Sequence, residues 1–344
     1  MKNIYDLSFH EIQDFVSAVD EPSYRSEQIW EGLYRQGYTD LEDFTSLPKP
    51  LRAALSQRFS IGSLELERTI SSQDGNTRKY LFRLEDNQAI ETVLMAYKDR
   101  QTVCVSSQVG CAMGCSFCAT GDMGFHRNLT RGEIIEQVLQ VSAVLQADQL
   151  SLTNVVMMGM GEPFHNYDAV MSAIRVLNDS KGFSLGMRRF TISTVGLVPG
   201  INRFTKEDAQ INLAISLHAA DDQLRSKIVP INKKYPLEEL MAACDQYLEQ
   251  TKRRITIEWA LIDGINDDPE QARKLVKLLS GKLFHVNLIQ LNPVEHFSGK
   301  PSGMESAALF QGMIQRAGIP CTIRLRRGID IQAGCGQLAS QSTG

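Results

Sequence analysis

The stretch CAMGCSFC (111–118) places three cysteines, Cys111, Cys115 and Cys118, within eight residues. A C-x3-C-x2-C spacing sets its thiols on one side of a compact loop, around a single ion or cluster. Isolated cysteines usually serve as small core residues; three this close call for another account. Zinc usually takes four protein ligands, and so do most iron–sulfur clusters. Two completions stand open. A zinc site would recruit Cys104 or His126 as its fourth ligand. A cluster with three protein thiolates would leave one iron for a small-molecule ligand.

The remaining chemistry-bearing residues are scattered. MGMGEP (158–163), STVG (193–196), SLH (216–218) and LNP (291–293) are polar, glycine-containing or histidine-containing pieces after apolar runs. His218 reads equally as a ligand or as a satisfied structural histidine. Cys335 sits in a tail of small residues, GIDIQAGCGQ, which lets backbone move and approach other backbone closely. On its own it would be a free thiol in a loose terminus. Cys244 and Cys321 fall in apolar patterns and read as core. Glu91 alone reads as an exposed carboxylate on a strand.

The chain has 344 residues, 43% hydrophobic and 22% charged, enough for a sizeable core in about two domains. Seven cysteines, four of them between residues 104 and 118, do not make a secreted disulfide framework. They point to thiols used for metal or redox work in a reducing cytoplasm. No apolar run is long enough for a membrane span, and the N-terminus does not read as a signal peptide. A net charge of −4 speaks against a blanket nucleic-acid binder. An RNA footprint would have to be local, and Arg188-Arg189, Lys233-Lys234, Lys252-Arg253-Arg254 and Arg326-Arg327 are the basic groups available. Each alone is more often a solvated surface.

These residues need a scaffold, and periodicity predicts one. A helix over 8–19 is boxed by Ser8 and Glu11, a second spans 24–35 before Gly37, and a third follows Pro50. Short strands are expected at 64–71, 77–84, 89–97 and 102–106, with a hairpin turn at 74–76. From Thr130 onward strands and helices alternate strictly. Strands are expected at 154–158, 190–194, 211–216, 254–261, 286–291 and 321–325. Helices fall at 130–145, 167–178, 236–250, 269–279 and 304–317, with a short one between the strands at 190–194 and 211–216. Near-continuous apolar strands in such a series imply a parallel sheet. Six or so units are too few for an eight-fold barrel. The expected fold is α/β, an open partial (β/α)6 barrel with a doubly wound sheet as the alternative. Its expected parts are a small helical N-terminal domain (1–60), a β extension (61–96), the barrel (97–325) and a C-terminal tail (326–344). In either architecture, ligands bind at the carboxyl ends of the strands, where the cysteine loop and the polar pieces fall.

C-x3-C-x2-C directly after a strand that opens a βα series is the radical S-adenosylmethionine (SAM) pattern. There the missing fourth ligand is SAM itself, on the open iron of a 4Fe–4S cluster. The resemblance extends further. CVSSQVGCAMGCSFCATGDMGFHRNL (104–129), VVMMGMGEP (155–163), VPINKKYP (229–236) and GIDIQAGCGQL (328–338) resemble the RlmN/Cfr family of radical SAM RNA methyltransferases. EPSYRSEQIWEGLY (21–34) is similar to that family's N-terminal domain, so the likeness spans nearly the whole chain.

The resemblance implies roles. Cys111, Cys115 and Cys118 would hold one 4Fe–4S cluster per chain. Gly161, Glu162, Ser193, Ser216, Leu217, His218 and Asn292 match the SAM contacts. Cys335 matches the methyl carrier, Cys104 the thiol that releases the product through a transient disulfide, and Glu91 the proton acceptor. Two SAM molecules would serve each turnover. The chemistry explains why the route is indirect. An amidine carbon such as adenine C2 is electrophilic and cannot take a methyl cation, so a radical route through a covalent adduct needs a carrier and a resolving thiol. Both thiols should then be reachable. The implied protein is a cytoplasmic monomer acting on 23S ribosomal RNA and, for an RlmN-type member, on tRNA beside the anticodon. Flavodoxin or ferredoxin would supply electrons. Ile329 and Gln332 depart from the acidic RlmN pattern, and the isoleucine is closer to the Cfr type, which methylates C8. The other motifs favour C2. A zinc-stabilised, non-catalytic RNA-binding protein is the alternative from another class.

Overall fold

The computed structural model describes residues 1–324 and 326–339. The last residue of the strand expected at 321–325 and the end of the tail lie outside the described residues. Strand β1 (Lys2–Asn3) pairs in parallel with β2 (Phe59–Ser60). Between them, α1 (Phe9–Ala18) begins at the Ser8/Glu11 capping box, with both halves formed. α2 (Tyr24–Glu31) continues as a π-helical turn to Gln36 and stops at Gly37, whose φ of 69° suits only glycine well. Gly32 opens that turn and lets the Phe44 ring pack against the backbone, where a Cβ would lie 2.2 Å from it. α3 (Lys49–Arg58) completes the unit. The expected core aromatics behave so: Phe15, Trp30 and Tyr34 are buried and Phe9 packs edge-on against Trp30.

β3 (Glu65–Ser71), β4 (Thr77–Arg83), β5 (Ala89–Tyr97) and β6 (Arg100–Val105) form an antiparallel meander. The first hairpin turns at Gly75, as the DGN sequence requires. A hairpin not expected from the sequence, β7 (Gln108–Gly110) with β8 (Phe125–Asn128), closes the base of the cysteine loop, which also carries α4 (Ala119–Asp122).

The series then runs α5 (Arg131–Ala147), β9 (Asn154–Met157), α6 (Tyr167–Asn178), β10 (Phe190–Thr194), α7 (Val198–Phe204) and β11 (Asn212–Ser216). It continues with α8 (Asp222–Ile228), α9 (Leu237–Thr251), β12 (Ile255–Leu261), α10 (Pro269–Leu279), β13 (Phe284–Gln290), α11 (Met304–Arg316) and β14 (Cys321–Arg324). Helix α8 was not expected; its Asp221 cap accepts from the Leu224 N–H, but seven residues give little periodicity. Pro236 occupies the cap of α9, one place before the first turn.

The sheet order is β14-β13-β12-β11-β10-β9-β6-β5-β4-β3. A doubly wound sheet reverses its strand order at a switch point. Here every strand after β6 is added on the same side, which is barrel winding. β3 and β14 remain edges, so the barrel is open. Parallel pairing joins β6 and β9 through β14, seven strands in all. One apolar core runs from Ile4 in the N-terminal unit through Ile134 and Val155 to Ile314. Polar contacts reinforce that junction: Asp6 accepts from the Gly132 N–H at 2.7 Å, and Arg131 donates to the Tyr5 carbonyl at 3.1 Å. No helix among the described residues is long and apolar enough to cross a membrane.

Candidate active site

The cysteine loop leaves β7 and returns through α4 to β8. Gly110 turns it at φ 70°, where a Cβ would lie 1.8 Å from the Gly124 carbonyl oxygen. Cys115 is buried, Cys111 and Cys118 are half-buried, and all three pack in one apolar cluster with Met113, Phe117 and Val229. Burial pushes each thiol pKa up, that of Cys111 to about 12, and the neighbouring thiols push Cys111 and Cys115 further. Such a set ionises only with positive charge placed among the sulfurs, which an iron cluster brings. The chemistry of the three donors therefore fits a cluster. The zinc completion finds less support. His126 is exposed on β8, and Cys104 interacts with Cys335 and Arg324 instead. Among the described residues, no three His, Cys, Asp or Glu side chains are gathered tightly enough to hold an ion, and this covers the three cysteines as well as any zinc set.

Beside the loop, the strand ends of the barrel gather around one cavity. Cys115, Cys118, Gly161, Glu162, Ser193, Ser216, His218 and Asn292 line it, together with Glu258 and Cys335. Gly161 has φ 102°, and a Cβ there would come within 2.5 Å of Gln108, so this approach needs glycine. The Glu162 carboxylate accepts from the Phe164 N–H at 3.0 Å and the Val195 N–H at 2.9 Å. Burial nevertheless pushes its pKa up to about 7. Ser193 and Ser216 share a hydrogen bond of 3.2 Å. His218 holds φ 60°, rare for a residue with a side chain. Its Nδ1 accepts from the Ala260 N–H at 3.0 Å, which assigns the proton to Nε2, and burial drives its pKa down to about 3. The ring stays neutral and packs edge-on against Phe117 at 4.8 Å. Leu217 is the exception among the expected contacts: strand alternation turns its side chain into the core and away from the cavity.

The tail folds over the opening. Ala119 donates its N–H to the Gly336 carbonyl at 2.7 Å, and Thr120 Oγ1 donates to the Leu338 carbonyl at 2.6 Å. Cys335 is exposed and lines both the cavity and an adjoining recess with Cys104, Tyr97, Arg324, Arg326 and Arg327. Although Cys335 is exposed as a residue, the walls of the recess around its sulfur push the thiol pKa up, and Arg324 opposes the rise. Cys104 differs from expectation. It lines the recess but is buried on β6, with its pKa pushed up to about 12 by burial and then by Cys335. Glu91 also differs. It is buried, paired with Lys79 Nζ at 2.8 Å, and accepts from the Ala339 N–H at 3.0 Å. It thus holds the tail from behind and is not among the recess lining.

Three residues of the site escaped sequence reading. Glu258 is buried with one carboxylate oxygen bound by Asn287 Nδ2 at 3.0 Å and the other without a hydrogen-bond partner, 3.9 Å from Arg324. Arg225 is fully buried and donates to the Leu217, Val195 and Ser216 carbonyls, which ties two strand ends together. Gln108 accepts from the Glu162 N–H at 2.8 Å. None stood out in sequence, since each acquires meaning from residues far away in the chain, Gln108 included although it lies within the motif at 104–129. A cavity of about 920 Å³ between the N-terminal unit and α5 holds none of the cysteines; its Glu136 carboxylate is already filled by N–H donors from Ser63 and Leu64.

An open parallel barrel with a three-cysteine loop at its carboxyl end defines a radical SAM enzyme. Residues 105–276 match the radical SAM superfamily, and residues 2–61 match the ribosomal RNA large subunit methyltransferase N-terminal domain. Dual-specificity RNA methyltransferase RlmN 1 of Myxococcus xanthus is 48% identical, over 98% of this chain and 94% of its own. The probable dual-specificity RNA methyltransferase RlmN of Chloroflexus aurantiacus is 45% identical, over 98% and 93%. The crystal structure of a radical SAM methyltransferase from Sphaerobacter thermophilus matches with a TM-score of 0.97 and 49% identity, over 99% of this chain and 100% of that one. The chain belongs to the RlmN family of radical SAM RNA methyltransferases. The superfamily's cofactors are a 4Fe–4S cluster and SAM, and the non-catalytic zinc reading falls with that membership.

Proposed function

We propose that this cytoplasmic enzyme methylates C2 of an adenosine in the peptidyl transferase region of 23S ribosomal RNA, and of an adenosine beside the anticodon in tRNAs. The observation that carries the reading is that Cys104 and Cys335, remote in sequence, line one arginine-bordered recess beside the cysteine loop. Cys111, Cys115 and Cys118 would hold one cluster, which would supply the electron for reductive cleavage of SAM. Gly161 and Glu162 orient SAM by its amino group, and Ser193, Ser216, His218 and Asn292 take its remaining polar atoms. The Leu217 contact reduces to its backbone.

Cys335 accepts a methyl group on sulfur from a first SAM, losing its thiol proton. After a second SAM is opened, a hydrogen atom passes from the methyl group on Cys335 to the 5′-deoxyadenosyl carbon, the remaining carbon joins the adenine ring, and the adduct gives one electron back to the cluster that Cys111, Cys115 and Cys118 would hold. Glu91 takes the ring proton, for which burial has raised its pKa and Lys79 keeps it within range. To reach the base, Glu91 must release the Ala339 N–H, so the tail shifts during turnover. Cys104 then attacks the Cys335 sulfur. Cys104 gives up its thiol proton in the attack, a disulfide forms, the sulfur–carbon bond breaks, and its electron pair stays with the carbon, which takes up a proton and becomes the methyl group. A reductant must reopen the disulfide.

Mass spectrometry of ribosomal RNA and tRNA from cells expressing the protein tests this. The expected product is 2-methyladenosine. Ile329 favours the Cfr-type alternative, and 8-methyladenosine in its place would establish that reading instead.

A further inference from the structure

Lys227, Lys233 and Lys234 have no part in the site described above. All three are exposed, and among the described residues none forms an ion pair or a side-chain hydrogen bond. Lys234 lies over the Tyr235 ring at 5.4 Å. The exposed Glu238 and Glu239 follow at the start of α9 and pair with none of them.

Their position is what sets them apart. The Ser116 N–H, between Cys115 and Cys118, donates to the Ile228 carbonyl at 3.1 Å. Ile228, Val229 and Ile231 share the apolar cluster that holds Cys115, with Cys111 and Cys118 packed against it. The segment is rigid. Asn232 Nδ2 donates to Asp222 Oδ1 at 2.8 Å and Ser226 Oγ at 2.9 Å, while Asn232 Oδ1 accepts from Arg225 Nη1 at 2.9 Å. The lysines therefore stand on a fixed turn whose inner side touches the cysteine loop. Ala112 and Gly114 of that loop are themselves exposed.

The later part of the loop is held by the tail, through the Ala119 and Thr120 contacts with Gly336 and Leu338. Beside those contacts Arg324, Arg326 and Arg327 line the recess of Cys335, which Cys118 also borders. The loop thus touches two cationic segments, and the three lysines line neither the cavity nor the recess. An RNA base must reach Cys335, which assigns RNA to the arginine side. The lysine side offers a short route to the cysteines that crosses no substrate.

We propose that Lys227, Lys233 and Lys234 form the docking surface for an acidic one-electron carrier protein that reduces the cluster held on Cys111, Cys115 and Cys118. This rests on the radical SAM reading of the site. One electron leaves the carrier, which is oxidised by one, and the cluster is reduced by one; no bond at the lysines changes. Redox encounters use small surfaces, often under about 1,200 Å² in total, and charge complementarity mainly speeds them. A patch of three unpaired lysines suits that scale.

The test is the affinity of the anaerobic protein for a fluorescently labelled flavodoxin, measured for the native chain and for Lys227→Glu/Lys233→Glu/Lys234→Glu. The triple variant should weaken binding at least about tenfold and flatten its salt dependence. Its RNA affinity and its dithionite-driven formation of 5′-deoxyadenosine should match the native protein. A Gln version of the three changes, less disruptive to folding, should weaken flavodoxin binding by a smaller factor. Equal flavodoxin affinity in native and variant chains overturns the proposal. So does a loss of RNA affinity with flavodoxin binding intact, which would make the patch an RNA contact. If the native protein with dithionite yields no 5′-deoxyadenosine, the radical SAM reading itself fails, whatever the lysines do.

Discussion

Asn292 Nδ2 donates to the carbonyl oxygen of Cys335 at 3.0 Å, so a residue that lines the strand-end cavity also holds the tail at Cys335. Its Oδ1 is buried without a partner and remains free for a donor on the ligand. The tail packs tightly here, since a Cβ on Gly334 would come within 2.5 Å of that Nδ2.

Asn292→Ala removes both interactions at once. SAM affinity of the anaerobic protein should fall about tenfold, equivalent to about 1.4 kcal/mol. Equilibrium dialysis measures it. An unchanged affinity would detach Asn292 from the cofactor.

Gly161→Ala should be worse. The added Cβ meets Gln108, and φ 102° is strained for alanine. A loss of about 1–3 kcal/mol of stability is expected from the backbone strain alone, together with loss of SAM binding. Thermal unfolding and dialysis report the two effects separately.

Glu162 contributes a pH dependence with a definite sign. Its folded pKa is raised to about 7, above the ordinary carboxyl value of 4.5. Below the lower value both states are protonated and the group is neutral to stability. As pH rises between the two values, the unfolded chain ionises first, so stability falls with pH in that window. Glu162→Gln should remove this component of the denaturation profile. A profile identical to the native one would show that the carboxylate ionises freely in the fold.

Much of this arrangement was legible in sequence because it depends on local spacing. The cysteine loop, the capping boxes at Ser8 and Thr130, and the apolar strands each carry their signal within a few residues. The hairpin of β7 and β8 did not, since FHRN is polar and its pairing comes from across the cysteine loop. How the N-terminal unit joins the barrel was not legible either, because the contacts lie far apart in sequence: Ile4 and Val16 belong to the same core as Ile134, and Glu136 is buried against Asn3 and Ser63. Removing residues 1–60 should expose that core and cost both RNA methylation and SAM cleavage.

Cysteine accessibility gives a further expectation. Cys335 is exposed and Cys104 is buried with a strongly raised pKa. Brief iodoacetamide treatment followed by peptide mass mapping should find Cys335 modified well before Cys104. The reverse order would mean that the tail covers Cys335 in solution.

RNA held at the arginine-lined recess should show steep salt dependence, because neutralised phosphates release counterions. Arg327 donates to the Ala96 carbonyl at 3.0 Å and stacks on Tyr97 at 4.4 Å, so it is fixed at the rim. Arg326→Ala/Arg327→Ala should weaken RNA binding and lower the slope of log affinity against log salt by roughly 0.7 to 0.9 for each phosphate that is no longer neutralised. An unchanged slope would place the RNA elsewhere.

The central claim is that Cys335 carries the methyl group and Cys104 frees the product. Denaturing gel analysis and mass spectrometry of the Cys104→Ala protein, purified from cells, test it most directly. The account predicts protein joined covalently to RNA through Cys335, with no adduct when Cys335→Ala is added. A Cys104→Ala enzyme that turns over freely without adduct, or an active Cys335→Ala enzyme, would contradict it.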